Sequence, residues 1–176
     1  MYLASQIIVF IGIAFGLASF QFKKHRHMML SKFIHEMLSS IHYILLGQYT
    51  GAAMNLLGAI RNLLFSRLVA KGKKTTGYVI LFGFLFVLAG VLAWQGPKSL
   101  LVICAKILSC IAYGCKDTAV VRKISLFTNA FWFLYNLIIF SVTAFLCDSL
   151  LLLSVIISIL RYDLIPHIQK KRSEKD

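Results

Sequence analysis

Charge is scarce in this chain, and negative charge scarcest: 14% of its 176 residues are charged, with six Asp and Glu against 19 Lys and Arg. So few carboxylates leave no paired-carboxylate site, and the chain has neither a Gly-rich phosphate loop nor a nucleophile elbow. Enzyme chemistry has no visible machinery. The four cysteines (Cys104, Cys110, Cys115, Cys147) form no C-x-x-C pair and no zinc spacing, and they read as small, polarisable packing residues. His35-Glu36 and His42 do not make an H-E-x-x-H metal motif, because that motif sets its histidines four apart and these are seven apart. No metal or cofactor is expected.

What fills the chain instead is hydrocarbon. Hydrophobic residues make up 59%, and the mean hydropathy is +0.81, too apolar for a soluble domain of this length. Apolar runs recur between charged breaks, each near the roughly 20 residues that cross ~30 Å of bilayer core. The net charge of +13 sits in short clusters between these runs, not along one extended face with interleaved aromatics, so nucleic acid is not an expected partner. The start, MYLASQIIVF, has no basic stretch before its apolar run and reads as a retained first helix, not a cleaved signal.

Seven helices are expected, over about 2–21, 28–46, 52–68, 76–95, 98–115, 124–141 and 145–163. The fourth is almost purely apolar and stops at Gly96-Pro97. With alternate loops assigned to opposite sides, every Lys and Arg except Lys98 and Lys106 falls on one side. The positive-inside rule then places the N-terminus of this multi-pass protein outside and its C-terminus in the cytoplasm.

A duplication organises the chain. Helices one to three are joined by a basic loop and then an uncharged turn (Gly47–Gly51). Helices five to seven repeat the basic loop and a short turn carrying only Asp148. Ala59-Ile60-Arg61 in helix three matches Ile159-Leu160-Arg161 in helix seven, with Gly58 and Ser158 three residues before each arginine. His35, Ser39 and His42 on helix two correspond to Asn129, Trp132 and Asn136 on helix six. The expected architecture is all-α: two parallel three-helix repeats (1–70 and 97–165), a linker helix (76–95) and a polar cytoplasmic tail (166–176). In transporters built from parallel repeats, the site lies between the halves near the midplane.

Ionised groups within a membrane helix cost roughly 2.5–3.5 kcal/mol each, so each needs a reason. Glu36 and Lys106 lie at similar depth with opposite charge and are read as a pair across the repeats, either holding the halves together or breaking during alternating access or proton coupling. Arg61 and its counterpart Arg161 read as side chains snorkelling to the inner interface, or as an anion-binding cap at the cytoplasmic mouth. Asn55, Gly58 and Asn62 share one face of helix three, which suits close helix packing. The competing reading puts Asn55 and His42 with Asn129, Trp132 and Asn136 around a central pocket for a small polar solute.

With these motifs in view, the chain resembles the YgjV family of bacterial inner-membrane proteins. The resemblance rests on His42-x-x-x-Leu46 with Gly47-x-Tyr49 and Ala59-Ile60-Arg61, then on Trp132-x-x-Tyr135-Asn136 and Ile159-Leu160-Arg161. More remotely, the 3+1+3 layout is similar to that of SWEET sugar transporters, PQ-loop proteins and the KDEL receptor, which implies a cavity between two triple-helix bundles. Helices one and five lack the Pro-Gln pair of those proteins, leaving Gly12 and Gly16 to soften helix one. The expected function is transport or facilitation of a small polar solute. The alternatives are a receptor or regulatory protein, or a lipid-handling one. Anionic headgroups are expected at the basic face.

Overall fold

The computed structural model describes residues 2–45, 49–92, 94, 96–138 and 142–165, with side chains described except at 2–6, 9, 43, 49–51, 136 and 142–144. The turn at 46–48 and the tail at 166–176 lie outside the described residues. The described residues form seven α-helices: α1 Tyr2–Gln21, α2 His25–Leu45, α3 Tyr49–Ala70, α4 Thr76–Leu92, α5 Ser99–Gly114, α6 Thr118–Ile138 and α7 Val142–Ile159. A π-helical turn, Leu160–Leu164, follows α7, and there is no strand among the described residues.

The helix ends differ from expectation where polar residues cap them. α6 starts at Thr118, not near 124, because Asp117 acts as its N-cap: the Ala119 N–H donates to Asp117 Oδ1 at 2.8 Å. Arg122 and Lys123 therefore ride on the first turns of α6 and not in a loop. α2 begins at His25, whose Nε2–H donates to the Tyr113 carbonyl at 2.9 Å. α3 ends in a Schellman motif, in which Gly72 takes φ +66° and Lys73 N–H bonds Leu68 O while Gly72 N–H bonds Val69 O.

Each helix packs mainly on its chain neighbours: α1 on α2, α2 on α3, α5 on α6, α6 on α7. Two further contacts close these into a ring, α1 against α7 and α3 against α5, and α4 lies against both α3 and α5. Hydrogen bonds fix which ends meet. Gln21 at the end of α1 bonds Ser154 in the second half of α7, Thr118 bonds Lys23 O, and Thr75 before α4 bonds the Gly114 carbonyl at the end of α5. The C-terminal ends of α1, α3, α5 and α7 thus meet the N-terminal ends of α2, α4 and α6. The clusters around Lys23, Lys71 and Lys116 collect at this one end.

The core is apolar, as around Met28, Phe65 and Phe86, but the surface is apolar too, unlike that of a soluble protein. Large apolar side chains stand exposed on every helix, among them Phe10 on α1, Ile60 on α3, Ile80 and Leu92 (80% exposed) on α4, Phe127 on α6 and Ile157 on α7. Buried positions include Lys32, Arg61, Asn62, Lys106 and Arg122. An apolar surface this extensive is suited to hydrocarbon and not to water. Phe145–Leu164 is the one described helix long and apolar enough to cross a membrane by itself, while Phe10–Gln21, Thr76–Leu92 and Ser99–Gly114 are apolar but shorter.

Candidate functional site

The interior polar groups converge where α2, α3, α5 and α6 meet beneath α4. Glu36 enters from α2. Its carboxylate lies against Gly58 of α3, and a Cβ at position 58 would collide with Glu36 Oε2. That absent side chain is what lets α2 deliver an acid to this depth. One turn along α3, Arg61 Nη2 donates to Glu36 Oε1 at 3.3 Å, and Lys106 Nζ of α5 approaches the same oxygen at 3.9 Å.

Arg61 does not snorkel. Its side chain is 0% exposed, because the interior supplies a partner for nearly every donor of its fork. Nη1 donates to Ser109 Oγ at 2.6 Å and to Cys110 Sγ at 3.5 Å, while Nε and Nη2 donate to Asn62 Oδ1 at 3.2 and 3.0 Å. The guanidinium lies 4.8 Å from the Tyr113 ring centroid and 5.3 Å from that of Phe86. A planar, multiply donating cation is suited to such a site; an ammonium is not.

The remaining cations are less well provided for. Lys106 Nζ lies 5.4 Å from Phe86 and 5.8 Å from Trp132, and its one approach to a carboxylate is longer than a hydrogen bond. Lys32, one turn before Glu36 on α2, is 7% exposed, with its Nζ 3.7 Å over Phe20 and 4.9 Å from Tyr113. No carboxylate lies within ion-pair distance of it among the described residues. Glu36 Oε2, Asn62 Nδ2 and Asn129 Nδ2 are enclosed without a hydrogen-bond partner.

Of the residues expected around a central pocket, Trp132 is brought to Lys106 and packs edge-on against Tyr135 at 6.0 Å. Asn129, His42 and Asn55 are half-buried on α6, α2 and α3, and the Asn136 side chain lies outside the described residues. Sequence reasoning missed Lys32, which it counted with the cytoplasmic cluster. The signal was present, since Lys32 and Glu36 stand four apart on one helix face.

A second polar group forms at the basic end. Arg122, 3% exposed, makes a bidentate pair with Asp163 of the π-helical turn, Nη2 to Oδ1 at 2.7 Å and Nε to Oδ2 at 3.1 Å. Lys23, Arg122 and Arg161 all lie 5.2–5.4 Å from the Tyr162 ring. With Thr118 they line an open cavity of about 640 Å³. Arg161 is exposed at its rim, so the two arginines of the repeat occupy unlike places. Outside the apolar span, burial pushes the His25 imidazole below its usual pKa range, opposed by its hydrogen bond to the Tyr113 carbonyl.

Helices with apolar exteriors and charged interiors define a helical membrane protein. The chain belongs to the Imp-YgjV family of bacterial inner membrane proteins, whose family model matches residues 3–164. Comparison with curated proteins and with solved structures gives no match.

Proposed function

We propose that the protein is a seven-pass carrier or facilitator for a small polar solute, built as two parallel three-helix units, α1–α3 and α5–α7, with α4 as linker. The observation that carries this reading is the Glu36–Arg61–Lys106 cluster, placed where α3 meets α5. The ring of contacts supports the duplication: exchanging the units turns the α3–α5 contact into the α7–α1 contact, so each seam has a counterpart. The basic clusters at one end support an outside N-terminus and a cytoplasmic C-terminus. Glu36 would exchange partners as the units rock about the seam, and His42, Asn55, Asn129, Trp132 and Asn136 would line the solute's path.

The first test is a thermal-shift screen of purified protein against sugars, amino acids, nucleosides and anions. A ligand selective for the folded form adds about 2.7 kcal/mol at a hundredfold excess over its Kd. A hit lost in Trp132→Ala and reproduced as flux into proteoliposomes would support the reading; binding without flux would sink it. The lipid-handling alternative draws on a different observation, the basic cavity around Tyr162, whose cations fit an anionic headgroup. Anionic lipid retained through purification and lost in Arg161→Gln would favour it.

A further inference from the structure

Three of the buried cations, Lys32, Arg61 and Lys106, alternate with aromatic rings in one series. Phe20 carries Lys32, Tyr113 lies between Lys32 and Arg61, Phe86 between Arg61 and Lys106, and Trp132 closes the far side of Lys106. The series begins near the basic end, because the Tyr113 carbonyl accepts from His25 at the start of α2, and it ends at the Glu36 cluster. Three cations, each at most 7% exposed, lie along this series, and its one carboxylate, Glu36, is approached by Arg61 and Lys106 but not by Lys32. Arg61 uses that carboxylate at hydrogen-bonding distance, so Lys32 and Lys106 hold ammonium donors that no protein acceptor satisfies among the described residues. Rings soften the cost of a buried cation, but they do not neutralise it. An interior with surplus positive charge, the unpaired amide donor Asn62 Nδ2 and aromatic walls is complementary to a small organic molecule ending in an oxyanion.

The geometry points to a binding site for a small organic oxyanion, a carboxylate or phosphate, held by Lys32 and Lys106 on either side of Arg61. This rests on the carrier reading for its place at the seam, and it names the solute class that reading leaves open. The aromatic faces of Tyr113, Phe86 and Trp132 would cover the apolar body, and Arg61, tied down by Ser109, Asn62 and Glu36, would keep the two lysines apart.

The test uses the full chain in detergent, with benzoate, succinate and inorganic phosphate as probes and with benzamide and succinamide as neutral twins, at matched ionic strength. We expect a saturable rise in melting temperature with at least one oxyanion and none with the amides. Lys106→Met and Lys32→Met should each lose the saturable shift, while Lys106→Arg should retain it. Without ligand, Lys106→Met should melt at or above the parent temperature, because Glu36 keeps Arg61 as its hydrogen-bonded counter-charge when the more distant Lys106 ammonium is removed. Equal shifts in parent and Lys106→Met would mark general salt stabilisation and overturn the proposal. So would amides that match the oxyanions, no saturable shift at all, or a Lys106→Met protein that melts far lower or fails to fold, which would make Lys106 a structural partner of Glu36. Inorganic phosphate acting without either carboxylate would assign the site to phosphate. Saturable oxyanion binding without proteoliposome flux would overturn the carrier reading and leave this site standing; flux of a neutral solute unchanged by Lys106→Met would do the reverse.

Discussion

The two seams of the helix ring are held by opposite chemistry. At the α1–α7 seam every observed bond is neutral: Gln21 Nε2 donates to the carbonyl and the hydroxyl of Ser154 at 3.2 Å, and Ser154 Oγ donates to Leu17 O at 2.8 Å. Buried Ser19 and Ser158 satisfy themselves within their own helices, and Gly16 faces Leu151 closely enough that an added Cβ would come within 3.1 Å of it. Such small, self-satisfied residues let helices approach and stay together. At the α3–α5 seam two cations, Arg61 and Lys106, share one carboxylate, while Glu36 Oε2 and Asn62 Nδ2 have no partner. The contrast extends to matched residues. Gly58 and Arg61 repeat as Ser158 and Arg161, yet Arg61 is buried and Arg161 exposed. When His35 is aligned with Asn129, Ala130 of α6 falls opposite Glu36 of α2. An arginine is drawn inside where the neighbouring helix offers a carboxylate and the preceding turn leaves room for it. Spacing alone does not decide its fate.

The contrast breaks most directly at Glu36. Glu36→Gln leaves Arg61 and Lys106 without a counter-charge and should cost about 3–5 kcal/mol, the usual penalty for halving a buried ion pair. Denaturant or thermal unfolding in detergent measures it, and a loss below about 1 kcal/mol would mean the charges do not hold this seam. Gly58→Ala should be the next largest effect, about 1–3 kcal/mol from overpacking against the Glu36 carboxylate. Because the clash is with that one side chain, Gly58→Ala should cost less in a Glu36→Ala background, a coupling that a double-mutant cycle reads. Ser158→Gly at the matched place has no such partner and should show no coupling to Ala130. At the neutral seam, Ser154→Ala removes hydrogen bonds of the kind worth about 0.6 kcal/mol within membrane helices. If Ser154→Ala matched Glu36→Gln, the two seams would be equivalent after all.

The helices were legible because hydrophobic runs and basic breaks are strong signals, and Tyr2–Gln21 for α1 agrees with expectation at both ends. Boundaries slipped where a polar cap decides them, as at Asp117, whose side chain starts α6 a turn and a half before the apolar run begins. Glu36 and Lys106 stood out as ionisable residues inside apolar stretches. Lys32 was harder, since it lies near enough to a basic cluster to be taken for part of it, and Arg61, deeper than the next cluster, reads as a snorkelling side chain or an anion-binding cap. What buries them is tertiary: a glycine on one helix, an acid on another, rings on α1, α4 and α5. No window on a single helix contains those partners.

The smallest effect separates the seams by pH. Gln21, Ser154 and Leu17, whose bonds define the α1–α7 seam, do not titrate, whereas the other side of the molecule is tied at its basic end by the bond from His25 of α2 to the Tyr113 carbonyl of α5. Burial holds the folded His25 pKa below its ordinary value, near 6.5 in an unfolded chain. Above about 6.5 both states carry a neutral imidazole and the fold keeps its full stability. As pH falls, the unfolded chain takes up the proton first, so stability declines through the folded pKa and levels off beneath it. His25→Asn should remove this share of the acid sensitivity, with Ser154→Ala leaving the slope unchanged. Melting curves of the three proteins between pH 5 and 7.5 check the sign, and a parent protein that gains stability on acidification relative to His25→Asn would show that His25 is charged in the fold.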